Sequence, residues 1–464
     1  MKTLFYILFL FLPVVVFAQE PWFKSSPLNY SWQIVGNADF AADASDYLSF
    51  TLSPSGQPYV AFPDCSNSWE ATVMKYNGNS WVNVGNAGFS TVKVGFPCLA
   101  FDPTNSIPYI AFINYSGPNP FGISMMKFNG SDKWVDLNIN VYTGDQLSLA
   151  VSPSGEPYLA FRDFGIWGDS SERLTVLKLI GTGWTYVGTP FFSPGKVNCT
   201  SIAFSPTGQP YLAFGDSGYY DKATVMRFND TTWVNVGSAD FSAGWIYDIS
   251  LAFSPLDGQP YVAYEDGGNS IKATVMKFNG RNWVNVGKAG FSEGEAYFTS
   301  LAFDPSGQPY VAYEDGANSF KATVMKFDGS SWVNVGNAGF SANVVSSPCL
   351  AVNMQGEPYV AYRDEANSWG ITVMRYGAQA GISELTSSRI SIYPNPAHDN
   401  ITIETSFALS QVQLSISNLN GQQLITSQIT LPKTQIDISN LPGGVYFVRL
   451  TNDKTVEVGK FIKQ

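Results

Sequence analysis

The dipeptide Pro-Tyr occurs at residues 58, 108, 157, 210, 260, 309 and 358, in steps of 50, 49, 53, 50, 49 and 49 residues. A near-constant period of this length means that each copy is one supersecondary unit, able to bury its apolar faces only against its neighbours. The sixth copy shows the unit. "LAF" (301–303) is followed by "DPSG" (304–307), with Pro and Gly where a type I turn favours them. "PYVAY" (309–313) comes next, its Pro at the strand start, where the missing N–H costs least. The loop "EDGANSFK" leads to "ATVMKF" (322–327), and "DGSS" leads to "WVNVG" (332–336). Runs such as "YVAY" are apolar on both faces, so both faces should be covered.

Four short antiparallel strands per copy, buried on both sides, predict an all-β fold built of β-propeller blades. The three connections within a copy are short and the one between copies is long, which makes "LAF" the innermost strand and "WVNVG" the outermost. The ends complement each other. "WQIVG" (32–36) has no third strand before it, and "ITVMRY" (371–376) has no fourth strand after it. The N-terminal strand is therefore expected to complete the last of seven blades and remove the exposed edges. An open β-solenoid is the rival architecture, and it leaves the complementary ends unexplained. The repeats resemble β-propellers generally, without the WD pair, the kelch double glycine or the Asp-box of known subfamilies.

Residues 4–17, "LFYILFLFLPVVVF", follow Lys2 and precede a small-residue site "VFA" (16–18). This pattern reads as a secretory signal peptide over 1–18. No other run reaches the roughly 18 apolar residues of a membrane helix, so no transmembrane segment is expected after its removal. The expected organisation is then a propeller over 19–376, a small polar linker over 377–389, and a separate unit over 390–464.

That last unit alternates strand patterns with Asn-Gly turns and reads as a small antiparallel sandwich. It carries Tyr393-Pro394-Asn395-Pro396, the "NLNG" turn ending at Gly421, Leu441-Pro442-Gly443-Gly444-Val445-Tyr446, and a trailing Lys460. In these motifs it resembles the type A C-terminal sorting domain of the type IX secretion system of Bacteroidota. The resemblance implies passage from periplasm across the outer membrane, the secretion machinery as a partner, and a surface or extracellular location.

The net charge is -11, and residues 383–464 balance six basic against six acidic side chains, so the excess negative charge lies in the propeller. Nucleic acid and anionic membranes are disfavoured partners. His398 is the only histidine, which disfavours His-based metal sites and triads in the repeats. Of the four cysteines, Cys65 and Cys98 fall on adjacent blades toward one face and are the expected disulfide pair.

The loop after the second strand is the natural place for function. It holds an aspartate in six blades: Asp64, Asp163, Asp216, Asp266, Asp315 and Asp364. Several copies follow it with an aromatic residue, Trp69, Phe320 and Trp369. One reading is a ring of shallow glycan sites, with carboxylates accepting sugar hydroxyls and aromatic rings covering pyranose faces. The other is that each Asp caps its own turn and the aromatics pack between blades. The recurring Trp81, Trp233, Trp283 and Trp332 read as structural because they start a strand in every copy. "YEDGGNS" (264–270) is oxygen-rich and leaves calcium open as a cofactor, but lacks the ligand spacing of an EF-hand.

Catalysis needs a constellation that does not repeat. The irregular third blade offers Arg162, Asp163, Asp169, Glu172 and Arg173. The expectation is a non-catalytic, exported binding protein, with a glycan as first ligand. A protein-binding or matrix scaffold is the alternative, and a polysaccharide hydrolase the second alternative.

Overall fold

In this computed structural model the residues described are 30–41, 47–116, 121–139, 143–165, 172–367, 369–378, 390–405, 412–418, 422–451 and 456–464. The signal-peptide segment, Gly421 and most of the linker lie outside them. The chain divides into two compact units, Met1–Gln379 and Ala380–Gln464.

The first unit is a closed propeller of seven four-stranded antiparallel sheets. Blade 6 runs Ala296–Phe303, Pro309–Asp315, Lys321–Phe327 and Trp332–Asn334, from the axis outward. Blade 7 runs Val345–Val352, Pro358–Asp364 and Gly370–Ala378, and Tyr30–Ile34 completes it, pairing Tyr30 with Ala378 and Ile34 with Met374. The innermost strands touch in a full circle, blade 7 against blade 1 included. Middle strands are buried on both faces, as the unbroken apolar runs require.

Each hydrophobic cluster spans two neighbouring blades. Val225 and Cys199 of blade 4 pack with Ile246, Leu251 and Tyr264 of blade 5. Phe50 and Val60 of blade 1 pack with Tyr359 and Val373 of blade 7. No blade can bury its side chains alone, which is why the period had to repeat.

Two polar circles latch the blades. At the outer rim each fourth-strand Trp donates its indole N–H to a carbonyl of the preceding blade. Trp81 reaches Val35, Trp233 reaches Val187, Trp283 reaches Val236 and Trp332 reaches Val286, all at 2.7–2.8 Å. Near the axis a hydroxyl on five of the seven innermost strands accepts the amide N–H of the next. Ser49 accepts from Leu99, Ser148 from Ile202, Ser201 from Leu251, Ser250 from Leu301 and Ser300 from Leu350, at 2.9–3.1 Å. Cys98 and Cys349 occupy the remaining two positions, with Leu149 and Phe50 as amide partners.

None of the four cysteines is paired in a disulfide, so the expected Cys65–Cys98 bridge is not formed. Cys98 sits on an innermost strand with its Sγ 3.2 Å from the Leu147 carbonyl of the next blade. Cys65 instead opens the short turn after the second strand of blade 1.

One strand is longer than expected. The innermost strand of blade 6 begins at Ala296 and passes a bulge between Tyr297 and Ser300 before reaching "LAF". The bulge recurs in blades 2 to 7 and turns one residue toward the axis. Phe96, Gln146, Asp248, Phe298 and Ser347 hold this place with φ of 45–54°, a strained backbone for residues with a side chain.

The second unit is a sandwich. Ile390–Tyr393, Asn400–Thr405 and Lys433–Asp437 form one sheet, and Val412–Ser417, Gln423–Ile429, Gly444–Thr451 and Val456–Lys463 the other. Ile401 and Ile403 meet Leu414, Val448 and Phe461 in its core.

Candidate functional site

The six repeated aspartates are buried, at most 7 % exposed. The Asp315 carboxylate accepts the Ala317 amide at 3.0 Å, the Asn318 side chain at 2.9 Å and the Thr323 hydroxyl at 2.7 Å. Asp64 and Asp266 repeat all three bonds. Asp364 accepts the Ala366 amide and the Thr372 hydroxyl. Asp163 and Asp216 accept the Gly165 and Gly218 amides. In the well-formed copies the aspartate caps a one-turn 3-10 helix that ends on a left-handed residue. The expectation of a ligand-facing carboxylate ring is corrected: all six carboxylates are buried and bond their own turns, although Asp216 Oδ2 is buried without a hydrogen-bond partner. The same holds for the loop considered for calcium, since both oxygens of Asp266 are taken by its own turn. Among the described residues, no three His, Cys, Asp or Glu side chains gather to hold a metal ion.

The aromatics of the same loops are accessible. Trp69 is 44 % and Phe320 40 % exposed, and Trp369 is half-buried. The Lys93 ammonium lies 4.5 Å over the Trp69 ring and the Arg363 guanidinium 5.0 Å over Trp369. Among the described residues, every exposed aromatic of the propeller except Tyr30 and Tyr186, both on outermost strands, lies at this end of the ring. The turns at the other end expose Leu256 and Met354 instead.

A cavity of about 690 Å³ opens at the axis on this face, lined from all seven blades. The residues at the strained bulges form much of its wall. Aromatic rings line it from two sides, Tyr47 and Phe96 of blades 1 and 2 with centroids 3.8 Å apart, and a larger group on blades 5 and 6. Trp245 and Tyr247 stand edge to face with centroids 5.5 Å apart, and Tyr297 and Phe298 continue the wall. Trp245 lies against Gly267, where a Cβ would sit 2.3 Å from the indole, so only glycine admits this pose.

Asp248 and Glu265 are the charged residues of the cavity lining. Their carboxyl groups are hydrogen-bonding partners; burial raises both above the usual carboxyl range, and the Asp248 charge raises Glu265 further. Glu265 also accepts the Phe298 amide of blade 6 at 2.7 Å. Burial pushes neighbouring Glu314 up to about 7. The repeat hid this pair, because the position before the conserved-looking Asp holds Pro63, Ile113, Arg162, Gly215, Glu265, Glu314 and Arg363 in turn. That variability was the signal.

Of the third-blade group, the structure brings Arg162 and Glu172 together. Arg162 grips Asp145 through two bonds of 2.5–2.6 Å and lies 3.8 Å from Glu172, which also pairs with Lys196 at 2.9 Å. Arg173 is exposed at a strand start, and Asp169 lies outside the described residues.

In the second unit the sorting motif is a clamp on the last strand. Asn395 accepts the Ile462 amide at 2.9 Å and donates to the Lys460 carbonyl at 3.2 Å. The Ala397 amide bonds the Ile462 carbonyl at 2.8 Å. The peptide bonds before Pro394 and Pro396 are cis. Tyr446 donates to the Pro442 carbonyl at 2.7 Å, and its strand pairs Val445 with Ile462 and Phe447 with Lys460. Gly443 approaches the last strand at Lys463, Gly444 pairs with Lys463, and Leu441 packs on the core. Tyr393 donates to Glu404 at 2.6 Å.

The fold defines a seven-bladed β-propeller followed by a small sandwich. Residues 391–464 match the family model of the secretion system C-terminal sorting domain. The chain is thus a type IX secreted propeller protein of the cell surface or extracellular space, and its sorting domain implies engagement of the secretion machinery. Among the described residues, no helix is long and apolar enough to cross a membrane.

No curated protein matches the chain. Solved structures with similar folds include PorZ, a surface component of the type IX secretion system of Porphyromonas gingivalis, at 14 % identity and TM-score 0.42, covering 91 % of this chain. The match spans 59 % of PorZ. A polysaccharide lyase that cleaves ulvan matches at 14 % identity and TM-score 0.48, over 74 % of this chain and 95 % of its own. AofleA of Arthrobotrys oligospora matches at 10 % identity and TM-score 0.44, over 66 % and 91 %. All three are too distant to transfer an activity.

Proposed function

We propose that this exported protein binds a glycan, without catalysis, on the aromatic face of its propeller. The observation that carries the reading is the gathering of exposed aromatic side chains on the face where the axial cavity opens. Apolar ring faces in a rigid frame, with a few convergent polar groups, suit the alternating apolar and hydroxyl surfaces of a sugar. The cavity volume falls within the range of small-ligand sites. The repeated frame is shape, and the ligand contacts lie where the copies differ.

The carboxyl geometry speaks against two-carboxyl glycoside hydrolysis by this pair. Glycoside hydrolysis by two carboxyl groups needs them about 5 Å or more apart, whereas Asp248 and Glu265 are in hydrogen-bond contact. The test is a glycan array with the purified protein. Defined hits that weaken in Trp245→Ala and persist in Asp315→Asn support the reading. A blank array overturns it and turns attention to protein partners of the cell surface.

A further inference from the structure

We propose that the axial cavity holds an ammonium group, and that the ligand is a saccharide bearing a free amine. The proposal rests on the glycan reading and narrows it. Among the described residues no Lys, Arg or His lines the cavity, and the charged lining residues are Asp248 and Glu265. Of the cations on this face, Arg162 pairs with Asp145, Lys93 lies over Trp69 and Arg363 over Trp369. The rings of Trp245, Tyr247, Tyr297 and Phe298 line the same cavity as the pair, and aromatic faces carry the negative side of the ring quadrupole. Anionic oxygens beside aromatic faces favour a cation. Oxygens able to accept hydrogen bonds favour one that still carries N–H groups.

The groups facing the pair reinforce this. Blade 4 presents the Cys199 thiol, held neutral by burial. Blade 5 adds the Tyr247 phenol. Blade 6 adds Glu314, the Tyr297 phenol and the Phe298 amide. None supplies a positive charge. An acidic sugar would meet an anionic site in an acidic protein, and a neutral one would leave the pair's charge unanswered.

The chemistry balances simply. Two carboxyl groups in contact cannot both ionise without cost, so on this proposal the free pair holds one proton and one negative charge. An entering ammonium group takes the place of the shared proton between the two carboxylates, and that proton leaves to solvent. Binding should therefore release protons.

The test is calorimetric titration of the whole chain with a β-1,4-linked glucosamine tetramer and with its fully N-acetylated counterpart, in mildly acid buffers of different ionisation enthalpy. The free-amine tetramer is expected to bind about tenfold more tightly, with proton release. Asp248→Asn and Glu265→Gln should each abolish that preference, while Trp245→Ala weakens both ligands alike. Proton release by the unaltered protein needs no variant to be read. Equal or tighter binding of the acetylated tetramer, or binding without proton release, overturns the ammonium site and leaves the glycan reading standing. Binding of neither tetramer overturns the ammonium site, and only a blank array overturns the glycan reading with it.

Discussion

The indole nitrogen of Trp32 donates a 2.8 Å hydrogen bond to the carbonyl of Val335, 303 residues further along the chain. It is the same bond that Trp81, Trp134, Trp184, Trp233, Trp283 and Trp332 make to the blade before them, so the seam of the ring is built like every other joint. Phe340 stacks on Trp32 at 4.0 Å, as Phe291 stacks on Trp332 at 4.2 Å. The N-terminal strand is a structural member of the last blade.

Deleting Tyr30–Ile34 should therefore leave Gly370–Ala378 as an unpaired edge. The expected result is a lower melting temperature together with new oligomers in size-exclusion chromatography. A monomer of unchanged stability would show that the seam is dispensable. Trp283→Phe tests a single joint and should cost about 1 kcal/mol in chemical denaturation, mostly through the unpaired Val236 carbonyl.

Asp315→Ala should destabilise the fold without touching the ligand site. It removes a cap and strands the buried Thr323 hydroxyl, which also accepts the Gly339 amide at 2.8 Å. The cost should be about 2 kcal/mol by denaturation, with ligand affinity unchanged. A large loss of affinity at full stability would restore the carboxylate-ring reading.

The buried carboxyls of the cavity predict how stability depends on pH. Burial raises Glu314 to about 7, and burial plus the Asp248 charge raises Glu265 further. A raised carboxyl keeps its proton in the fold where the unfolded chain has lost it. Its contribution to stability is therefore full below the ordinary carboxyl range and falls as pH rises, through about 7 for Glu314 and beyond for Glu265. Thermal melts across neutral pH should show this decline, and Glu314→Gln should flatten its lower part. An unchanged profile in that variant would remove Glu314 as the cause.

The thiols should be present and unreactive. Burial pushes Cys98 and Cys199 up to about 12 and Cys349 to about 11. Alkylation followed by mass spectrometry should modify these three only after denaturation, and reductant should leave the melting temperature where it was. A shift with reductant would bring back a disulfide.

The architecture was legible because repetition samples it seven times. The Pro-Tyr spacing, the apolar middle strands and the complementary ends each point to the same closed ring. The innermost strand was read short. Its first half, such as "AYFTS" at 296–300, varies between copies and carries a bulge that no alternation reveals. The site was misread for a related reason. Repetition drew attention to Asp315 and its equivalents, whose sameness reflects a backbone need. Asp248 and Glu265 come together only through pairing across a bulge, and they occupy places where the repeat departs from itself. The sorting unit was legible because its motif residues are local and ordered, although the clamp of Asn395 on Lys460 and Ile462 joins positions 65 and 67 residues apart.

Tyr30 lies directly across from Ala378, so the two ends of the ring are neighbours. Topologically the propeller is a circle cut at one of seven nearly equivalent places. Nothing in the latches marks this place as special, since every joint carries the same indole and hydroxyl or thiol bonds. A circular permutant relinked from Ala378 to Tyr30 and reopened between Phe278 and Trp283 would keep every joint, and would change only which blade waits for its last strand.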